Sequence, residues 1–153
     1  MKKFQFNLKA LLSYREHLEQ IAKQDLAKVL GEINAVNDFI AECQSLRETT
    51  LEELQIRSET GISALDMSRY MDYMAGLEQK TMEAQNHLQH LTQLANRKRT
   101  ILAEKSVGKK AILNLKEKRK KEYVDEVEKF LQKQSDEMVL ISGTFVKQKE
   151  GAI

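Results

Sequence analysis

Apolar residues in the first third of the chain recur with the alternating three- and four-residue steps of a coiled-coil seam. From position 26 the seam residues are Leu26, Val29, Ile33, Val36, Ile40 and Cys43. Such a stripe follows one face of an α-helix and requires a second helix to cover it. Upstream the stripe is broader, and Arg15 and Glu19 fall on it. The pattern predicts one helix over about residues 7–59.

A second stripe with the same spacing begins after position 63. Its members are Tyr70, Met74, Leu77, Thr81, Ala84, Leu88, Leu91 and Ala95. Farther on, lysines interrupt the stripe, and Gly108 weakens the helix by about 1 kcal/mol relative to alanine. Val124, Val127 and Leu131 then resume in a shifted phase. The pattern predicts a helix over about residues 64–137, followed by an apolar flexible tail over 138–153. That tail is either a frayed terminus or a segment that orders on a partner.

The two predicted helices are separated by a turn over residues 60–63. Gly61 suits a left-handed position just after a helix end, and Ser63 suits an N-cap, with Asp66 three residues on. So short a link makes the helices antiparallel neighbours, with residue i facing roughly residue 124 − i. The predicted fold class is therefore all-α, an antiparallel two-helix coiled-coil hairpin or rod that forms a single domain over 1–153.

The composition excludes most other classes. The 153 residues contain no proline, where average usage would give roughly eight. One cysteine excludes a disulfide scaffold, and no run of about 18 apolar residues is present for a membrane span. No apolar core of a signal peptide follows Lys2 and Lys3, so a cytoplasmic location is expected. Cys43 is expected to be a buried member of the seam.

The net charge of +2 hides a local concentration of positive charge. Residues 97–121 carry eleven Lys or Arg and two Asp or Glu. Three interpretations remain open: a solvated helix face, a docking site for an acidic protein surface, or a nucleic-acid contact. The last is disfavoured, because no aromatic residue interleaves the block and no base-reading motif is present.

Residues for catalysis or cofactor binding are not recognisable in the sequence. There is no glycine-rich phosphate loop, and His87 and His90 read as part of a solvated face rather than as metal ligands. The chain is expected to be no enzyme and to use no cofactor. Tyr73 and Met71 cannot both follow the seam of Tyr70, Met74 and Leu77, because successive helical residues lie about 100° apart. Tyr73 is therefore the strongest candidate for a partner contact.

The order and spacing of several short segments resemble the FliJ family of flagellar export proteins, over about residues 4–135. The segments are the opening Phe6-x-Leu8-x-x-Leu11-Leu12-x-Tyr14-Arg15, the turn Gly61-Ile62-Ser63 with the following Tyr70-Met71-x-Tyr73-Met74-x-x-Leu77-Glu78, and the basic Leu115-Lys116-Glu117-Lys118-Arg119-Lys120-Lys121-Glu122.

The resemblance implies a component of the flagellar type III export apparatus. Proteins of this family are similar in shape to the central stalk of rotary ATPases, insert into the export ATPase hexamer, and bind the cytoplasmic domain of the membrane export gate and export chaperones. The chain would then lie at the cytoplasmic face of the membrane, associated only peripherally through the gate. By position, Tyr73, Leu77 and Met71 would contact the gate. The ATPase ring would be contacted by Lys116, Lys118, Arg119, Lys120 and Lys121.

Three other functions share parts of this pattern. The chain could be the coiled-coil stalk of a virulence-type secretion system, which has the same hairpin and ring role. It could be a generic structural coiled coil, or one that binds nucleic acid. A rotary ATPase stalk subunit fits less well, because the chain lacks the α/β domain that such a stalk carries between its helices.

Overall fold

Two long helices account for almost all of the computed structural model of this chain. The structure describes the backbone of residues 3–150 and the side chains of residues 3–143. The first helix, α1, spans Lys9–Thr60, and the second, α2, spans Ala64–Glu150. No strand occurs within the described residues, and the two helices pack against each other as a hairpin. The all-α antiparallel hairpin is confirmed.

The turn between the helices follows the predicted capping chemistry. Gly61 has a φ of 99°, the left-handed conformation that glycine adopts most readily. The backbone N–H of Asp66 donates to Ser63 Oγ at 3.1 Å, as expected for an N-cap side chain. Cap and turn together stop α1 and start α2 within three residues.

The helix bounds differ from the predicted ones mainly at the end of α2. α1 begins two residues later and ends one residue later than predicted. α2 continues to Glu150 rather than ending near Glu137, because residues 138–143 contain no proline and extend the helix without a break. Met138 and Val139, the first residues of the predicted tail, are helical and exposed. The part of the predicted tail over 151–153 lies outside the described residues.

The chain divides into two compact units, which we describe separately. The turn unit is Leu18–Lys105, and the terminal unit is Met1–His17 together with Ser106–Ile153. In the turn unit the buried apolar residues follow the heptad phase of the predicted seams: Ala22, Val29 and Cys43 on α1, and Leu77, Ala84, Leu91 and Ala95 on α2. Two polar residues of α1, Glu19 and Thr50, are buried with them. Cys43, at 3% exposure, is the buried seam residue that the sequence predicts.

Two contacts between the helices show their register in the turn unit. Lys98 Nζ lies 3.5 Å from Asp25 Oδ2, and the guanidinium of Arg57 lies 5.7 Å from the centre of the Tyr70 ring. The predicted register places positions 99 and 67 opposite these two α1 residues. Both observed partners lie within one helical turn of those positions, so the register is confirmed.

In the terminal unit, the side chain of Arg15 lies close to Gly108. A Cβ added to Gly108 would lie 3.2 Å from Arg15 Nη1, so the guanidinium passes close over the backbone of α2. The helix continues through this glycine without a break. Gly108, which was predicted to weaken the helix, is therefore also in close contact with a side chain of α1.

Candidate partner-binding surfaces

Helix periodicity places the three gate-contact candidates of the turn unit in different environments. Met71 is 54% exposed and Tyr73 is 48% exposed, whereas Leu77 is 5% exposed. Leu77 occupies the seam, as its spacing from Tyr70 and Met74 also predicts. Its side chain therefore supports the packing of α2, and only Met71 and Tyr73 present apolar surface to a partner.

Tyr73 borders a shallow groove on α2. The groove has a volume of about 280 Å³ and is lined by Asp66, Arg69, Tyr70 and Tyr73. Arg69 Nη1 lies 3.6 Å from Oδ1 of Asp66, which is one helical turn earlier in the chain. The half-buried Tyr70 ring is held under the Arg57 guanidinium, a favourable cation–π geometry. Tyr73 is thus an exposed ring beside a groove that has both apolar and charged side chains.

A larger groove on the same side of α2 was not predicted from the sequence. It has a volume of about 480 Å³ and lies between the helices, where Ala35, Val36 and Phe39 of α1 meet Lys80, Glu83, Ala84 and His87 of α2. Phe39 is 43% exposed. Lys80 and His87 follow Tyr73 at seven-residue intervals, which places all three on one side of the helix. One feature of the sequence pointed to this groove. Phe39 directly precedes the seam residue Ile40, and the two side chains cannot both be buried in the seam because successive helical residues point about 100° apart.

In the terminal unit, the basic cluster differs in exposure along its length. Lys118, Arg119, Lys120 and Lys121 are exposed, whereas Lys116 is half-buried. None of these five side chains forms an ion pair with another described residue. Four consecutive exposed cations cover much of the circumference of the helix, because each residue turns the direction by about 100°. They form a surface that attracts anionic groups from several sides.

An aromatic contact marks where the start of the chain meets α2 in the terminal unit. The rings of Phe4 and Tyr123 lie 5.7 Å apart at an angle of 45°. Beyond this contact, α2 exposes large apolar residues that include Phe130, Leu131 and Met138. The predicted bounds and register place residues 118–137 past the start of the first helix, but they did not predict helix beyond residue 137.

Neither a metal site nor a membrane span is found in the described part of the chain. No group of three or more His, Cys, Asp or Glu side chains there could hold a metal ion. Neither described helix has a stretch long and apolar enough to cross a bilayer.

Comparison with known protein families finds a match that covers nearly the whole chain. The family model described as Flagellar FliJ protein matches residues 4–144. No curated protein and no solved structure matches the chain. The matched region includes α1, the turn, α2 as far as residue 144 and all the candidate surfaces.

Proposed function

The chain belongs to the FliJ family of flagellar proteins, and we propose that it acts as the central stalk of the flagellar type III export ATPase. The family makes it a component of the flagellar export apparatus, a structural part rather than a known enzyme. In this role it inserts into the ATPase hexamer, promotes assembly and activity of the ring, and links the ring to the membrane export gate. It thereby supports flagellum assembly and motility. The flagellar family favours this system over a virulence-type one.

The observation that carries the proposal is the exposed basic cluster of the terminal unit. Lys118, Arg119, Lys120 and Lys121 have no acidic partner among the described residues and are available to acidic groups of the ring. Contacts between exposed charges contribute only about 0–1 kcal/mol each and are screened by salt. A stalk held by such contacts is attracted to the ring without being fixed in one position. Half-buried Lys116 would border this contact.

A second surface, in the turn unit, is proposed to bind the cytoplasmic domain of the export gate. Met71 and Tyr73 supply exposed apolar and aromatic area, the residue types most common at binding hot spots and adaptable interfaces. The groove at Phe39 lies on the same side of α2 as Tyr73 and would extend this surface onto α1. Leu77 would act by supporting α2 beneath it. Binding of export chaperones is also proposed, without an assigned site. Through the gate the protein would be held at the cytoplasmic face of the membrane.

Charge reversal of the basic cluster tests the stalk proposal. We expect the combined change of Lys118, Arg119, Lys120 and Lys121 to Glu to abolish stimulation of the ATPase, because attraction to acidic groups becomes repulsion. Stimulation by the unchanged protein should weaken as salt is raised. The measurement is the rate of ATP hydrolysis by the export ATPase with increasing amounts of each variant, with helicity checked by circular dichroism.

A control with the same change of charge separates a local contact from a general electrostatic effect. Lys28, Arg47, Lys80 and Arg97 are exposed residues of the turn unit. Reversing these four to Glu should leave most of the stimulation intact. Equal stimulation by the cluster variant and the unchanged protein, or equal loss in both quadruple variants, would contradict the placement of the ring on the terminal unit.

A further inference from the structure

The end of α2 in the terminal unit carries an apolar stripe with coiled-coil spacing. The members, here called the distal stripe, are Val124, Val127, Leu131, Gln134, Met138 and Ile141. Their steps alternate between three and four residues, which is the spacing of positions a and d of a heptad repeat. The stripe lies largely beyond the contact of Phe4 with Tyr123.

The distal stripe is exposed where a coiled-coil seam would be buried. Leu131 is 56% exposed and Met138 is 72% exposed, so no described part of the chain covers them. Val127 is half-buried, near the start of the stripe. The hydrophobic effect therefore favours a second helix along these positions, because it would remove their apolar surface from water.

We propose that the distal stripe pairs with the distal stripe of a second copy of this chain, as a short parallel coiled coil. This inference goes beyond the stalk role and does not depend on it. The occupant is indicated by the one polar position of the stripe, Gln134. A side-chain amide both donates and accepts, so two amides at the same level satisfy each other. In a parallel pair in register, Gln134 faces Gln134 of the second copy.

Antiparallel pairing does not satisfy this amide. With the stripes fully overlapped in opposite directions, the spacing places Gln134 against Leu131 of the second copy. Burying an amide without a hydrogen-bond partner costs free energy. A single polar seam residue commonly sets register and orientation in this way, at some cost in stability.

The residues that flank the stripe also accept a parallel partner. With Val124 at position a of the heptad, positions e and g flank the seam. In a parallel pair, Glu128 lies beside Tyr123 of the second copy, and Glu137 lies beside Ser142 of the second copy. No glutamate then faces a glutamate across the seam. In another arrangement, opposite charges would pair. The acidic segment 122–137 of one copy would then lie antiparallel to the basic cluster of the other. This arrangement would place the stripe over Glu117 and Lys120, which offer no apolar seam.

The net charge of the paired segments predicts how salt affects the dimer. Residues 122–137 carry six acidic and two basic side chains, and the basic cluster directly precedes them. Parallel pairing brings like charges to the same level in both regions. Because salt screens this repulsion, raising salt should strengthen the dimer. This is opposite to the effect expected for binding of the basic cluster to the ATPase.

Sedimentation equilibrium of the purified full chain, without the ATPase, tests the proposal. We expect a reversible monomer–dimer equilibrium that shifts toward dimer at higher salt. Changing Leu131 and Met138 together to Lys should weaken the dimer by about tenfold or more. Leu140→Lys is the matched control, because Leu140 is 69% exposed but lies on the opposite side of the helix from Met138. It should leave the dimer unchanged.

Orientation is tested by Gln134→Cys. Under mild oxidation, two cysteines at the same seam level should form a covalent dimer, whereas the unchanged chain, whose Cys43 is buried, should not. Monomer at all concentrations would overturn the proposal. So would a dimer that Leu140→Lys weakens as much as the double variant, one that salt dissolves, or one that Gln134→Cys does not crosslink. Because the ATPase is absent, none of these results bears on the stalk role.

Discussion

The direction of single side chains decides which residues of the turn unit can meet a partner. Met71 and Tyr73 point away from the seam and are about half exposed, while Leu77 points into it and is buried. This division follows from the turn of 100° per residue, so the sequence predicted the exposure of Tyr73 and the seam position of Leu77. It could not predict the Phe39 groove, because that groove depends on which α2 residues stand opposite Phe39. Only the register of the packed helices supplies that information.

Tyr73→Ala is expected to weaken binding of the gate's cytoplasmic domain by about tenfold or more, since truncating a hot-spot aromatic commonly costs about 2 kcal/mol or more. Helicity should not change, because the ring is half exposed. Tyr14→Ala is the control, because Tyr14 is also exposed, at 57%, but lies in the terminal unit. Titration calorimetry with the isolated gate domain measures both. Equal affinity of the Tyr73 variant and the unchanged protein would rule out this residue as a gate contact.

At the scale of the elements, the helices end and begin where local chemistry requires. Gly61 and Ser63 were identifiable because a left-handed backbone and an N-cap each demand few residue types. The end of α2 was placed too early, because apolar β-branched residues after 137 suggested a change of structure. No residue there interrupts the helix, and a helix already formed extends at little cost. Likewise, the close approach of Arg15 to Gly108 could not be predicted, because the two residues are distant in the sequence.

Two glycines provide a test of the turn. A Cβ added to Gly61 or to Gly76 meets no atom within 4 Å, so the two positions differ in backbone conformation and not in available space. Gly61→Ala should lower the free energy of unfolding by about 1–2 kcal/mol, because a left-handed backbone is unfavourable for alanine. Gly76→Ala should raise it by about 0.5–1 kcal/mol, because alanine favours a helix. Urea unfolding followed by circular dichroism measures both. A shift in the same direction for the two variants would contradict this account of the turn.

At the scale of the whole molecule, charge is the property that separates the proposed roles. The chain is nearly neutral, at +2, yet residues 97–121 hold eleven of its 25 basic residues. Its four consecutive exposed cations, Lys118, Arg119, Lys120 and Lys121, are in the terminal unit, whereas Met71, Tyr73 and the Phe39 groove are in the turn unit. The sequence was sufficient to find both the block and the aromatic cluster. It could not show that Lys116 is more covered than Lys118–Lys121, which depends on packing.

The central claim is that the basic cluster of the terminal unit enters the ATPase ring. Site-specific photo-crosslinking tests it most directly, with a photoreactive amino acid in place of Arg119 and, in a second protein, in place of Tyr73. In the presence of the assembled ATPase hexamer, position 119 should crosslink to residues that line the central channel, and position 73 should not. Crosslinks from position 119 confined to the outer surface of the hexamer, or channel crosslinks from position 73 alone, would contradict the account.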